Sequence, residues 1–234
     1  MNFGTLHLPT GRPAAELTAA WGDQPVFCWL LIGAGLIILF LLPELYKLFP
    51  SVTGCFIRSR GNIEVEHSIS TARSRNLCAR ALVIPFLLAS SRYGLFTPEF
   101  LAGWDRPWLN LAELTGIAAA FLAVRRIIHA MLLSIGKLRF GHDELYAVTR
   151  GILNFFILFM LLALPSICLL RAFSASDIAV RMLLWTEMAL FWGVSTVREG
   201  QILSSGCSGL ATFLYLCGLE FIPAAGLIIA SICL

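Results

Sequence analysis

The chain has 234 residues, of which 58% are hydrophobic and only 13% charged, and its mean hydropathy is +0.82. Soluble domains carry about 25% charged residues, so this composition argues against a soluble enzyme and favours a protein that crosses a membrane several times. The net charge of +3 is small, and the basic residues stand near the ends of apolar stretches rather than in one basic tract. We therefore predict no nucleic-acid partner.

Six long apolar stretches predict an all-α fold: a polytopic bundle of about six transmembrane helices in a single integral membrane domain, residues 1–234. A helix rises about 1.5 Å per residue, so about 20 apolar residues cross the roughly 30 Å hydrocarbon core of a bilayer. With short loops, six spans use nearly the whole length and leave no room for a separate soluble catalytic domain. The predicted spans lie near 26–49, 80–97, 109–126, 151–170, 178–197 and 208–234.

The second stretch, 80–97, is the least regular of the six. It is short, it has Pro85 in its middle and it includes Arg92. A reentrant or partly buried segment is therefore the alternative to a full crossing. If this segment did not cross, every later span would reverse its orientation, and the basic loop after the third span would lie outside. The charge distribution thus favours a crossing.

The apolar run of the third stretch, 109–126, stops at Arg125 and Arg126. Its helical periodicity nevertheless continues through residues 127–140. Two interpretations fit this pattern. The tail is either an amphipathic extension along the cytoplasmic membrane surface or the continuation of one long tilted helix.

The distribution of Lys and Arg predicts the orientation, because these residues favour the cytoplasmic side in short loops. The segments that follow the first, third and fifth spans, counted with the span ends that border them, contain 12 of the 17 basic residues. The opposite side contains four, and Arg92 lies within the second span. We therefore expect the basic loops 50–79 and 127–150 in the cytoplasm. Both termini are expected on the other side of the membrane, which is the periplasm for a protein of a bacterial inner membrane, the location that the resemblance described below implies.

Ionisable residues inside a bilayer cost about 2.5–3.5 kcal/mol each, so they are the first candidates for a functional role. Glu187 and Glu220 have similar predicted depths, and Arg92 lies near the same level, so we expect Arg92 to pair with one of them. Such a cluster either holds helices in register or gains and loses a proton; contact with a membrane partner is a third interpretation. The predicted buried charge cluster consists of Arg92, Glu113, Glu187 and Glu220.

Two prolines are predicted to distort their helices. Pro223 has no N–H to donate to the carbonyl of Leu219, which frees a backbone acceptor beside Glu220. A kink here would suit a polar pocket, although close packing of small residues is the alternative. Pro85 carries the same two interpretations.

Residue patterns for metal, cofactor or catalytic chemistry are missing from the sequence. The seven cysteines show no CxxC spacing, and the four histidines fall in predicted tails or loops rather than within spans, where haem ligands would be needed. HExxH and nucleotide-binding motifs are absent. The GVST sequence at 193–196 resembles a serine nucleophile turn only faintly. We predict no catalytic residue, no metal site, no cofactor and no enzymatic activity.

The strongest local signature is the sequence FLYLCGLEFIP, from Phe213 to Pro223. It resembles the C-terminal motif FLYLC-x-LE-x-[IL]-P of an uncharacterised inner-membrane family of Bacteroidetes, known only as a domain of unknown function. In that family the motif follows a basic turn, to which Arg198-Glu199-Gly200 corresponds. An Arg-Tyr-Gly element is matched by Arg92-Tyr93-Gly94. The resemblance implies a helical inner-membrane protein of a Gram-negative cell, and it implies no activity.

The leading functional hypothesis is a non-enzymatic accessory or scaffold subunit of an inner-membrane assembly. Its expected partners are the lipid bilayer and either another membrane protein or further copies of the chain. The alternative is a small proton-coupled transporter or channel that uses the buried Arg and Glu residues. Transporters commonly contain inverted repeats, and enzymes need a converging catalytic set. Neither feature is visible in the sequence, which places the subunit first.

Overall fold

The computed structural model describes residues 25–58, 60–96, 107–134, 142–206 and 209–226, and all regular structure within these ranges is helical. The all-α prediction is confirmed for this part of the chain. The helices are α1 (Pro25–Ile57), α2 (Gly61–His67), α3 (Ile69–Tyr93), α4 (Pro107–Ser134), α5 (His142–Ala172), α6 (Asp177–Gly206) and α7 (Gly209–Leu216), and a π-helical segment (Cys217–Phe221) follows α7.

Three of the described helices, α1, α5 and α6, are long and apolar enough to cross a membrane. They contain the first, fourth and fifth predicted spans. Large apolar side chains on α1 point away from the protein: Phe40 is 86% exposed and Trp29 is 71% exposed. Such a surface is costly in water and suits contact with lipid tails. The segments long and apolar enough to cross are Val26–Ile57, Ala147–Ala172 and Asp177–Ser205.

Helix α3 contains most of the second predicted span but begins well before it. Ser68 caps its first turn by accepting a hydrogen bond from the Thr71 N–H. Its first turns carry arginines, so an apolarity count along the sequence does not detect them. The helix continues through the buried Pro85 and ends at Tyr93, because Gly94 adopts a left-handed conformation (φ 59°) and its N–H bonds back to the Ser90 carbonyl.

The predicted cytoplasmic loop 50–79 is largely helical, since the end of α1, all of α2 and the start of α3 occupy it. Helix α2 packs closely against α1 at Gly61. A Cβ atom at this position would lie 2.7 Å from the Gly54 carbonyl oxygen, so only glycine permits the approach. The segment is thus packed against the bundle rather than extended as a surface loop.

Helix α4 runs without a break from Pro107 to Ser134, through Arg125 and Arg126. One long helix is therefore the interpretation that holds as far as Ser134. The rest of the predicted tail, at 135–140, lies outside the described residues. Together with α5, which begins at His142, helix α4 fills most of the predicted loop 127–150.

Helix α6 corrects one feature of the family resemblance. Arg198-Glu199-Gly200, assigned there to a basic turn, lies within this continuous helix, which ends only at Gly206. Of the last predicted span, 208–234, the structure describes Gly209 to Gly226, as α7 and the residues that follow it.

The main core lies between α1, α3, α5 and α6. Leu45 of α1, Leu82 of α3, Phe159 of α5 and Leu184 of α6 are all buried in it. Contact between helices inside a membrane depends on van der Waals packing, because lipid tails are as apolar as leucine. Helix α5, the most buried of the three helices able to cross a membrane, supplies the centre of this core.

Contacts at the helix ends show that the long helices alternate in direction. Phe27 at the start of α1 stacks on Trp108 at the start of α4, with ring centroids 4.8 Å apart. At the same end, Tyr93 of α3 accepts a hydrogen bond from Arg171 of α5 (3.3 Å), and Arg171 pairs with Asp177 of α6. We call this the Tyr93 end, and the opposite end, where α6 meets the end of α1, the Arg198 end.

Candidate functional site

Arg125 of α4 lies between two carboxylates from other parts of the bundle. Its Nη1 atom is 2.5 Å from Oε1 of Glu220, and its Nη2 atom is 3.6 Å from Oε1 of Glu199. None of the three side chains is more than 7% exposed. We call Arg125, Glu199 and Glu220 the Arg125 cluster.

Helix geometry determines which of two adjacent arginines enters the cluster. Successive helical residues point about 100° apart, since a turn contains 3.6 residues. Arg125 therefore points into the bundle and is buried, whereas Arg126 is exposed. Glu199 reaches the same place from α6, because that helix continues past the point where its apolar composition ends.

Glu220 lies within the π-helical segment, Cys217–Phe221, where the Ile222 N–H donates to the Cys217 carbonyl. In a regular α-helix the ring of Pro223 would clash with the carbonyl of Leu219, and Pro223 has no N–H to donate to that carbonyl. A wider π turn accommodates such a proline, and π turns occur frequently at functional sites. The expected distortion near Pro223 thus corresponds to a local π turn that holds Glu220.

Further buried polar groups surround Glu199. Its Oε1 atom accepts a hydrogen bond from the Ser195 hydroxyl (3.1 Å), one turn earlier on α6. On the neighbouring helices, Asn154 Nδ2 donates to Asn62 Oδ1 over 2.9 Å. Gly151 lies between these two pairs: a Cβ atom there would be 2.9 Å from Asn62 Nδ2 and 3.7 Å from Glu199 Oε1. The polar network therefore reaches α2 and α5 as well.

The Arg125 cluster has more negative than positive groups. Two carboxylates share one guanidinium, and they lie close enough to repel each other. Within the described part of the chain, Glu199 Oε2, Arg125 Nε and Asn62 Nδ2 make no hydrogen bond although they are buried. Buried polar groups are usually hydrogen-bonded, so these atoms mark a site with unused capacity for a proton or a polar ligand.

Arg92 does not belong to this cluster, and its predicted pairing with Glu187 or Glu220 is wrong. Among the described residues Glu220 pairs with Arg125 instead. Arg92 lies in the last turn of α3, with its guanidinium carbon 5.9 Å from the centre of the Tyr93 ring. The depth estimate was in error because α3 starts at Ile69 and already ends at Tyr93, before the predicted span ends at 97, so Arg92 lies in its last turn.

Glu187 and Glu113 also lie apart from the Arg125 cluster. Glu187 of α6 is 8% exposed and interacts with the Ser166 hydroxyl of α5. Glu113 is half-buried on α4 and has no ion pair to another described residue. Of the four predicted cluster members, only Glu220 lies beside a described residue of opposite charge.

Sequence reasoning missed Arg125 and Glu199. Arg125 was assigned to a span boundary together with Arg126, and Glu199 to a turn. A usable signal existed for Glu199, because Ser195 and Glu199 have the four-residue spacing of neighbours on one helix face. Ser195, which belongs to the serine-containing sequence at 193–196, thus has a carboxylate as its partner.

Comparison of the chain with protein-family models, curated proteins and solved structures gives no significant match. Among the described residues no group of three His, Cys, Asp or Glu side chains is arranged to hold a metal ion. The chemistry available to the Arg125 cluster is ion pairing between helices and the binding of a proton by its carboxylates.

Proposed function

We propose that the protein is a multi-pass component of a bacterial inner membrane, of the Bacteroidetes type that its C-terminal motif resembles, and acts as a non-enzymatic accessory or scaffold subunit. The observation that carries this proposal is the Arg125 cluster. Its charged groups point into the bundle and form ion pairs that connect α4 with α6 and with the π-helical segment. Charges used in this way hold helices in one arrangement, which is what a subunit with an apolar outer surface requires.

The apolar outer surface supports a membrane location. Leu36 and Leu39 of α1 are each 62% exposed, and Met182 of α6 is 63% exposed. Side chains of this kind are stable against lipid tails or against another membrane protein. The proposal therefore includes the bilayer and either a membrane-protein partner or a second copy of the chain.

We further infer six crossings with both termini in the periplasm. The alternating direction of α1, α3, α4, α5 and α6 supports this arrangement, as does the concentration of basic residues towards the Arg198 end. Cysteine labelling in whole cells tests it. Arg60→Cys at the Arg198 end should react with a membrane-impermeant maleimide only after lysis, and Ala172→Cys at the Tyr93 end should react before it. The reverse pattern would overturn the orientation.

A second candidate function is proton-coupled transport, and one observation favours it. When all three groups of the Arg125 cluster are ionised, the buried site carries a net negative charge, and a single bound proton makes it neutral. Charge in a medium of low dielectric constant is costly, so a proton has a physical reason to bind here. The π turn that holds Glu220 adds a backbone element of the kind found at functional sites.

Glu220→Gln distinguishes the two candidates, because the amide keeps the shape of the side chain but cannot titrate. In cells that depend on the variant, abundance and phenotype are measured from the same cultures. A scaffold predicts that the phenotype follows the amount of protein. Normal abundance with complete loss of phenotype would favour the transporter. Glu113→Gln, which changes a carboxylate on α4 outside the cluster, is the matched control.

A further inference from the structure

A cleft of about 610 Å³ lies at the Arg198 end, where the last turns of α1 and α6 meet the start of α2. Three arginines and one glutamate give it a net positive charge. The two longer helices are among those able to cross a membrane, so the cleft lies where they leave the hydrocarbon layer. Its polar lining consists of Arg58, Arg60, Glu64, Arg198, Gln201 and Ser204.

Arg198 lines this cleft, and several hydrogen bonds hold its guanidinium group in place. Its Nη2 atom donates to the carbonyls of Phe56 (2.9 Å) and Ile57 (3.0 Å), and its Nη1 atom donates to Gln201 (2.8 Å). These bonds satisfy carbonyl groups that the end of α1 would otherwise leave without partners. Arg198 therefore contributes positive charge, while most of its donors are already used.

Unlike Arg198, Arg58 and Arg60 form no side-chain hydrogen bond with another described residue. Both side chains are exposed, and neither forms an ion pair with another described residue. The guanidinium group offers a planar set of donors that matches phosphate oxygens. Ile57, which is 69% exposed, adds an apolar surface to the lining.

We propose that this cleft binds the phosphate of an anionic phospholipid whose acyl chains lie along the outer surface of α1. The cleft lies at the ends of two helices able to cross a membrane, it is positively charged, and Ile57 beside it is exposed. These three features suit a ligand with a charged head and an apolar tail. A soluble phosphate compound offers the same phosphate group, but it would have no acyl chain to contact the bilayer or the apolar surface of α1. This inference rests on the proposed membrane location and is independent of the Arg125 cluster.

Native mass spectrometry of the full chain in mild non-ionic detergent tests the proposal, with phosphatidylglycerol and phosphatidylethanolamine as probes. We expect preferential retention of phosphatidylglycerol and a loss of roughly tenfold or more in Arg58→Gln/Arg60→Gln. Arg73→Gln/Arg80→Gln removes the same charge from two exposed positions on α3 and should retain the lipid. Equal losses in the two double variants, or equal retention of the two lipids by the wild type, would overturn the site.

Competition with inorganic phosphate distinguishes a lipid ligand from a soluble phosphate compound. If millimolar phosphate displaces phosphatidylglycerol completely, the cleft is a site for soluble phosphate compounds and the lipid proposal is wrong. Continued retention of the lipid supports the proposal. Carbonate extraction of cell membranes, applied to every variant, reports membrane integration separately. A protein that remains in the membrane but lacks lipid selectivity contradicts this inference alone.

Discussion

Two buried ion clusters in this protein differ in their balance of charge. In the Arg125 cluster one guanidinium faces two carboxylates. In the second, which we call the Arg75 cluster, one carboxylate, Glu66, faces Arg75 at close range and Arg150 at 3.9 Å. Asn76 accepts further hydrogen bonds from Arg75 over 3.0 and 3.2 Å.

The difference distinguishes an ion pair that only supports the fold from a site that can change its charge. The buried donors of Arg75 all have partners among the described residues, whereas the Arg125 cluster retains buried polar atoms without hydrogen bonds. Satisfied networks make the structure rigid, and partly satisfied networks retain capacity for a proton or a ligand. Burial alone does not separate the two cases, since Arg75 and Glu199 are both 0% exposed.

The largest expected effect comes from removing the single cation of the Arg125 cluster. Arg125→Gln leaves two buried carboxylates without a cation and should lower the free energy of unfolding by about 3–5 kcal/mol. Arg75→Gln should cost less, about 1–3 kcal/mol, because Glu66 keeps Arg150 as a neighbour. Unfolding in mixed detergent micelles measures both values. Equal losses would remove the distinction between the clusters.

Neutralising one carboxylate in each cluster should change stability by different amounts. Glu66→Gln removes the carboxylate that pairs with the buried Arg75 among the described residues, and it should cost about 3 kcal/mol. Glu199→Gln removes one of two mutually repelling charges, so its stability should stay within about 1 kcal/mol of the wild type or rise. The same unfolding measurement applies. A loss of more than about 2 kcal/mol in Glu199→Gln would contradict the proposed excess of negative charge.

A double-mutant cycle identifies the cation that stabilises Glu220. Arg125→Gln and Glu220→Gln should be coupled by about 1–3 kcal/mol, since the two side chains are in contact. Arg92→Gln and Glu220→Gln should be additive within about 0.5 kcal/mol, because Arg92 lies at the Tyr93 end. The second cycle is the control, and coupling there would restore the pairing expected from the sequence.

A modest effect is expected at Gly151, which separates Asn62 from Glu199. Gly151→Ala introduces a Cβ atom 2.9 Å from Asn62 Nδ2, so the amide must shift and stability should fall by about 1–2 kcal/mol. Gly193→Ala on α6 meets open space and should instead stabilise its helix by about 0.5–1 kcal/mol. If both variants were more stable than the wild type, the polar network would tolerate displacement of Asn62 and this prediction would be wrong.

The apolar stretches predicted the helices better than their boundaries. The first, fourth and fifth predicted spans lie within helices able to cross a membrane, and each of those helices extends beyond its predicted span. Charged residues such as Arg75 and Glu199 belong to helical turns that contain few apolar side chains. Hydropathy reports how far a helix is immersed in lipid, whereas backbone hydrogen bonding decides where it ends, and the two limits differ by several residues.

The sequence by itself determined that the protein is helical and apolar enough for a membrane, because apolar content over about 20 residues is a local property. It also identified Glu220 and the distortion before Pro223. Only the tertiary structure decided that Glu220 pairs with Arg125 and shares it with Glu199, and that Arg92 lies elsewhere. Ion pairs between helices depend on which side of each helix faces inward and on the exact start of each helix. A shift of one residue turns a side chain by about 100°, so composition does not contain that information.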